Sequence, residues 1–200
     1  RVPSAEEHAL ITLGGNYTVT VDNTTTVNSL TLGAGFDIQT LSIKGNSTRL
    51  NVTLTVNNDI RNSSLIVLES TSGWGSSLKI VNGLLINNYV VRVNAGTSGG
   101  TRTITGKVLN RCRVDIKQTL AFDGVFTNRA ILEIDTTKQM TLNGGAQVFN
   151  QNGGEISGKG MLELLNGVTM NFNRGATRGP LPPLLSRANL NFGPAATGRR

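Results

Sequence analysis

Apolar and polar residues alternate strictly over many short stretches of this chain. Residues 50–56 read LNVTLTV, so every second side chain is apolar and would lie on one face of an extended strand. The same alternation recurs at residues 17–21, 30–32, 91–93, 112–116, 162–164 and 168–172. Asn-Gly and Gly-Gly pairs, which favour tight turns, separate these stretches, and no helical stripe is sustained. The pattern predicts an all-β chain of short strands joined by sharp corners.

A longer repeat indicates which of two all-β architectures, an antiparallel sandwich or a parallel solenoid, the chain adopts. LNGGAQVFN and LNGVTMNFN share five residues in the same order, and they start 23 residues apart, at 142 and 165. Phe126, Phe149 and Phe172 continue the interval. Equivalent positions of a solenoid stack about 4.8 Å apart and favour like residues, a demand that an antiparallel sandwich lacks. We therefore predict a right-handed parallel β-helix, or β-solenoid, of about 20–25 residues per coil. Phe126, Phe149 and Phe172 form its core stack, and Asn150 and Asn173 pair in a ladder at a corner.

The end of the chain differs from the rest in composition. Residues 175–200 contain most of the prolines and several arginines, whereas the alternating stretches come earlier. Proline cannot donate a backbone hydrogen bond, so a proline run disfavours regular coils. We predict a β-helix over residues 1–174 and a Pro/Arg-rich strap or linker over 175–200, in which residues 189–192 add one last strand.

Composition and charge indicate which classes of binding partner this chain favours. Gly (24 residues) and Asn (22 residues) are abundant, only 4% of residues are aromatic, and no apolar run approaches the roughly 20 residues of a membrane-spanning helix. The net charge of +7 lies entirely in residues 101–200. A basic half suits contact with an acidic polysaccharide or with a membrane surface. Nucleic acid is disfavoured, since few aromatic residues are present to stack on bases.

The beginning of the chain resembles a known kind of segment. Residues 2–11 (VPSAEEHALI), 15–22 (GNYTVTVD) and 27–33 (VNSLTLG) resemble the N-terminal entry unit of large secreted pectin-lyase-like β-helix proteins, among them adhesin-like surface proteins. Residues 152–160 (NGGEISGKG) are similar to one of their coils. The Trp-rich stretch usual before the Val-Pro is absent, and Glu7 stands where an Asp is usual. The resemblance implies a β-helical fold and an extracellular or cell-surface location, not an activity.

Catalysis on such a scaffold requires clustered carboxylates. A polysaccharide lyase or hydrolase uses an acid pair, or carboxylates that bind Ca²⁺ beside an arginine. Asp115, Asp135 and Glu155 recur at one equal interval, Glu133 lies near them, and Arg113 is placed to separate their charges. Their interval is shorter than the repeat that relates Phe126, Phe149 and Phe172, and this conflict favours ordinary solvated side chains. We therefore predict no catalytic residue, metal or cofactor.

Three single residues have both a structural and a chemical interpretation. His8, the only histidine, lies in a segment with no recognisable nucleophile or metal-site pattern, which favours a surface or cap position. Cys112 falls on the apolar side of its strand and is interpreted as a buried inert thiol, with an intermolecular disulfide or a reactive thiol as the alternative. Trp74, in a glycine-rich stretch, anchors a loop or stacks on a sugar ring.

Five Asn-x-Ser/Thr sequons lie in the first third of the chain. They are Asn16, Asn23, Asn46, Asn51 and Asn62. A chain this rich in Asn, Ser and Thr produces about four sequons by chance, so their number alone does not indicate a glycoprotein. Asn51 lies on the polar side of its strand, where a glycan has room.

Three functional hypotheses follow. The first is a non-catalytic extracellular structural or adhesive protein, a building block of a surface fibre, filament or adhesin. Open solenoid ends then favour self-association or neighbouring domains of a longer chain. The second is a carbohydrate-binding or polysaccharide-degrading β-helix, such as a tailspike-like enzyme. The third is ice binding through outward threonines such as Thr53 and Thr55, which requires a regular Thr grid. We favour the first because the acids are dispersed and the threonine pairs follow no fixed period.

Overall fold

The computed structural model describes residues 3–45, 51–71, 73–96, 100–179 and 183–194, and the secondary structure there is almost entirely β-strand. The strands are β1 (His8–Ile11), β2 (Tyr17–Val21), β3 (Thr25–Val27), β4 (Ser29–Leu32), β5 (Gln39–Gly45), β6 (Asn51–Val56), β7 (Ile60–Asn62), β8 (Leu65–Ser70), β9 (Gly75–Asn87), β10 (Val90–Val93), β11 (Arg102–Asn110), β12 (Arg113–Ile116), β13 (Leu120–Asn128), β14 (Ile131–Ile134), β15 (Gln139–Asn143), β16 (Val148–Gly158), β17 (Met161–Leu165), β18 (Thr169–Arg178), β19 (Leu184–Ser186) and β20 (Asn189–Phe192).

All pairings between the described strands are parallel, and each joins strands of successive coils. The chain is a parallel β-solenoid of about eight turns with about 22 residues per coil, as the repeat predicts. Among the described residues, no helix is both long and apolar enough to cross a membrane.

Each coil contributes to three sheets that run along the solenoid. Sheet 1 contains β1, β4, β7, residues 84–87, 107–110, 125–128, 148–151 and 169–172, and β20. Sheet 2 contains β2, β5, β8, β10, β12, β14 and residues 155–158 and 176–178. Sheet 3 contains β3, β6, residues 75–80, 102–105 and 120–122, β15, β17 and β19.

The hydrophobic core consists of inward-facing side chains stacked in rows parallel to the axis. In sheet 1 one buried row contains Leu30, Ile60, Leu85, Val108, Phe126, Phe149 and Met170. The rings of Phe126 and Phe149 stack with centroids 5.4 Å apart and planes inclined by 12°. This confirms the first pair of the predicted aromatic stack.

The third member of the predicted stack is wrong. Phe149 lies opposite Met170, whereas Phe172 lies opposite Gln151 on one side and Phe192 on the other. The coil that joins Phe149 to Met170 is shorter than the predicted repeat, so a residue one full repeat further on falls two places too far along the strand. A shift of two residues along the strand keeps the side chain on the inward face, so Phe172 still packs against the core.

Coil length varies more than a fixed repeat allows. The shortest offset between paired residues is 18, between Arg102 and Leu120, and the longest is 30, between Leu30 and Ile60. The two nine-residue sequence repeats are consequently out of register, since Leu142 pairs with Leu164.

The predicted boundary at residue 174 does not end the solenoid. Strand β18 runs through it, and β19 and β20 pair with β17 and β18 as a further coil. The strand predicted over residues 189–192 coincides with β20 and is confirmed.

Candidate functional site

The predicted acidic residues do not form one ladder. In sheet 2, Asp115 lies opposite Glu133, and Glu133 lies opposite Ser157. Glu155 occupies the neighbouring row, opposite Ile131, and pairs with Arg178 at 3.3 Å. The predicted stack of Asp115, Asp135 and Glu155 is therefore wrong, because neither of the two local coils has a length equal to the interval between these acids.

Asp135 lies in the turn after β14. Its backbone N–H donates to the carbonyl of Ile116 at 2.9 Å, and its own carbonyl accepts from the N–H of Lys138 at 3.0 Å. Its position is fixed by the corner between two sheets and not by the acidic row.

Two arginines pair with the two acids that do stack, and one of them, Arg113, bridges both acids. Arg92 approaches Asp115 from the preceding coil at 3.2 Å, and Arg113 contacts both Asp115 and Glu133. The predicted role of Arg113 as the cation between carboxylates is thus observed in the geometry. The hydrogen bond to Asp115 is the main cause of the raised pKa of the Arg113 guanidinium. These carboxylates bind cations of the chain itself, so the row joins three coils on the flank of the solenoid.

A second row of polar side chains is fully buried. Asn62, Asn87, Asn110, Asn128 and Gln151 face inward at the end of their sheet 1 strands, and none of them has exposed surface. Their amide nitrogens donate to the side-chain oxygen of the next member at 2.7, 2.9, 2.8 and 3.0 Å. We call this row the amide ladder.

The amide ladder also holds the corner between sheets 1 and 2. Nδ2 of Asn87 donates to the carbonyl of Arg113 at 2.9 Å, and Nδ2 of Asn110 donates to the carbonyl of Ile131 at 2.8 Å. Each of the four asparagines therefore binds both its neighbour in the ladder and the backbone of the following coil, whereas Nε2 of Gln151 donates to the carbonyl of Gly153 in its own coil. Paired in this way, buried polar groups avoid the desolvation cost of an unsatisfied donor.

The members of the ladder are spaced unequally, by 25, 23, 18 and 23 residues, so no fixed repeat relates them in the sequence. A local signal was present in the sequence, because each of the four asparagines stands two residues after a buried apolar residue and so falls on the inward side of its strand.

A second amide row lies on the outside of sheet 1. Nδ2 of Asn150 donates to Thr127 at 3.3 Å, Asn171 donates to Asn150 at 2.8 Å, and Asn191 donates to Asn171 at 2.9 Å. The predicted pairing of Asn150 with Asn173 is wrong, since Asn173 donates to Asn152 at 2.6 Å. Thr127 supplies the first acceptor of this row.

Arg102 is a buried charge that the sequence pattern did not indicate. It occupies an inward position of sheet 3, between Ser76 and Leu120, and is fully buried. Nη1 donates to the carbonyl of Gly100 at 3.0 Å. Burial lowers the pKa of the guanidinium, and the charge of Glu69 opposes that shift.

The sequons differ in accessibility. Asn16, Asn23 and Asn51 are exposed, and the side-chain oxygens of Asn16 and Asn51 accept backbone N–H groups at 2.7 and 2.8 Å. Asn62 belongs to the buried amide ladder, so a glycan there is incompatible with this fold. Asn46 lies outside the described residues.

His8, Cys112 and Trp74 show no assembled chemical site. His8 is exposed and its ring nitrogen contacts the hydroxyl of Ser29 in the next coil. Cys112 is a free thiol that is partly exposed rather than buried, because it lies in the turn before β12. Trp74 is half-buried in the loop before β9. Among the described residues, no three His, Cys, Asp or Glu side chains are arranged to hold a metal ion.

The outward threonines of sheet 3 form an interrupted row. Thr53, Ser77 and Thr103 lie opposite one another in successive coils, followed by Ala121. Thr55, two residues on from Thr53, lies opposite Lys79. A charged side chain within the grid disfavours the ice-binding hypothesis.

Comparison with known proteins gives no match to a family model, to a curated protein or to a solved structure. The parallel β-helix implied by the resemblance to pectin-lyase-like proteins is present in the structure.

Proposed function

We propose that this chain is a non-catalytic extracellular structural or adhesive protein, a β-helical building block of a surface fibre, filament or adhesin. The observation that carries the proposal is the amide ladder. It uses five buried polar side chains to connect successive coils along the axis, and every one of its links is a hydrogen bond of 3.0 Å or less. Side chains arranged in this way stabilise a rod.

The charged residues of sheet 2 support the same function. Asp115 has a side chain that is only 4% exposed and lies between two arginines. A carboxylate that is neutralised in this way cross-links coils, whereas a general acid or base has to reach a substrate. The enzymatic alternative would need these ion pairs to open.

The extracellular part of the proposal is supported by the resemblance of the first coils to secreted β-helix proteins and by exposed sequons such as Asn51. A glycan at Asn51 would project from the flank of the solenoid without entering the core.

Immunogold electron microscopy of the source cells, with antibodies raised against the folded chain, tests the proposal. We expect label on filaments or on the outer surface. Label confined to the cell interior would overturn it. So would release of reducing ends or unsaturated sugars from a panel of acidic polysaccharides, if Asp115→Asn abolished that release.

A further inference from the structure

The first and last described coils of the solenoid each have one face that no described strand covers, and we name these two faces by their strands. The first-coil face consists of β1, β2 and β3, and the last-coil face consists of β20, residues 176–178 of β18, and β19. Among the described residues, each of these segments pairs with a strand on one side only. Because all strands are parallel, the segments at both faces run in the same direction. Each sheet therefore ends in two edges that are able to continue each other as a parallel ladder.

The apolar interior is accessible at the last-coil face. Leu190 and Phe192 continue the inward rows of Met170 and Phe172, yet they are 40% and 69% exposed. Inward side chains elsewhere in these rows are covered by a further coil. A face of this kind gains stability when another coil covers it.

The first-coil face has a matching hollow. A cavity of about 500 Å³ opens there, and Ala9, Ile11, Val19 and Val21 contribute to its lining. Val19 is 36% exposed although it lies opposite the buried Leu41. The hollow has room for apolar side chains such as those of Leu190 and Phe192.

The charges at the two faces are opposite, which indicates that each face binds the unlike face of another copy. Residues 2–43 contain four acids and no Lys or Arg, whereas residues 164–200 contain five Arg and no acid. Of these, Glu6 and Asp22 are exposed near the first-coil face, and Arg174 and Arg187 are exposed near the last-coil face. Contact between unlike faces brings opposite charges together, and contact between like faces brings equal charges together.

We propose that a second copy of this chain is the partner of each face, and that copies stack head to tail. Strand β20 of one copy lies along β1 of the next, β19 lies along β3, and residues 176–178 lie along β2. The three sheets then continue across the junction. Contacts between two different faces do not close into a dimer, so they generate an open filament. The inference rests on the proposed function and names the partner within the fibre.

Two variants, each altered at one face, test the geometry. The first-coil variant is Glu6→Lys/Asp22→Lys, which makes that face basic. The last-coil variant is Leu190→Gln/Phe192→Gln, which removes the exposed apolar side chains of that face. Ile131→Gln is the control, because Ile131 is 38% exposed on the flank of the middle coils. Circular dichroism and thermal unfolding verify that all three are folded.

Sedimentation velocity of the 200-residue chain over a range of concentrations is the measurement. We expect the wild type and the control to form oligomers that lengthen with concentration and shorten with added salt. Each face variant should associate at least about ten-fold more weakly. An equimolar mixture of the two should form dimers that do not grow, because each variant retains one intact face and these faces are complementary.

A wild-type chain that remains monomeric at all concentrations would overturn the stacking inference, even if microscopy still located the protein in surface fibres. A mixture that fails to form dimers would also overturn it, since the contact would not join unlike faces. Location inside cells would instead contradict the proposed function and leave the stacking result unaffected.

Discussion

At the scale of single residues, the amide ladder makes the most specific demand on the sequence. Each member must be both a donor and an acceptor, must face inward, and must reach the next coil. Asparagine at the end of a sheet 1 strand satisfies all three conditions. Leucine would fill the space but would leave a backbone carbonyl of the following coil without its donor.

Asn110→Ala tests the contribution of the amide ladder. The substitution removes the donor to Asn128 and to the carbonyl of Ile131, so we expect the free energy of unfolding to fall by about 2–4 kcal/mol. Urea unfolding followed by circular dichroism measures it. Asn191→Ala is the matched control, because Asn191 donates a similar bond in the exposed outer row, and it should cost less than about 0.5 kcal/mol. Equal losses for the two variants would contradict a special role for the buried row.

The ion pairs of sheet 2 should contribute less to the free energy of unfolding than the amide ladder does, and their contribution depends on how deeply each pair is buried. In Arg113→Met, the nearly buried Asp115 keeps only Arg92, and Glu133 loses its partner. We expect a loss of about 1–3 kcal/mol in chemical unfolding at low protein concentration. Arg178→Met removes a pair whose arginine is 76% exposed, and it should cost less than about 1 kcal/mol. A larger loss of stability for Arg178→Met than for Arg113→Met would mean that the charged row of sheet 2 does not hold the coils together.

At the scale of elements, the corners decide where a long strand changes sheet. Strands β11 and β13 begin in sheet 3 and end in sheet 1, and they bend at Gly106 and Gly124, which lie opposite each other. Both glycines have positive φ, 120° and 134°. A Cβ at Gly124 would collide with the carbonyl oxygen of Gly106. Glycine is required here by the backbone angle and by the close approach of the next coil.

Gly124→Ala should therefore destabilise the chain by about 2–4 kcal/mol, since it combines an unfavourable φ with a steric clash. Gly145→Ala is the control, because the nearest atom to its new Cβ lies 3.9 Å away, at the carbonyl of Gly167. We expect its effect to be within about 0.5 kcal/mol. Thermal unfolding of both variants at one scan rate provides the comparison, and a neutral Gly124→Ala would show that the corner relaxes easily.

The elements also explain how much could be predicted from the sequence. Alternation identified strands such as β6, because the inward face of a strand is mostly apolar, and the longer repeat identified the solenoid class. Register could not be predicted, since the corners absorb insertions and the offset between paired residues differs widely from coil to coil. The error on Phe172 and the missed amide ladder both arise from this variation. The acids were misplaced for the same reason, although the partner predicted for Asp115, Arg113, is correct.

At the scale of the whole molecule, a solenoid is a one-dimensional stack in which each coil contacts only its neighbours. Middle strands such as β12 pair on both sides, whereas β1 and β20 pair on one side among the described residues. Stability should therefore decrease from the middle coils toward both faces. A second copy stacked on a face would supply the missing neighbour.

Amide hydrogen exchange followed by mass spectrometry tests both the lower stability of the terminal coils and their protection by a second copy. In dilute solution, peptides from β10 to β14 should exchange slowest, and peptides from β1 to β3 and from β19 to β20 at least about ten-fold faster. At concentrations where the chain associates, only the peptides at the two faces should gain protection, because stacking adds hydrogen bonds along their edges alone. The variant Leu190→Gln/Phe192→Gln should lose that gain at its last-coil face. Protection that instead appears on the flanks of β10 to β14 would indicate lateral association, and the fibre would then have to be built side by side.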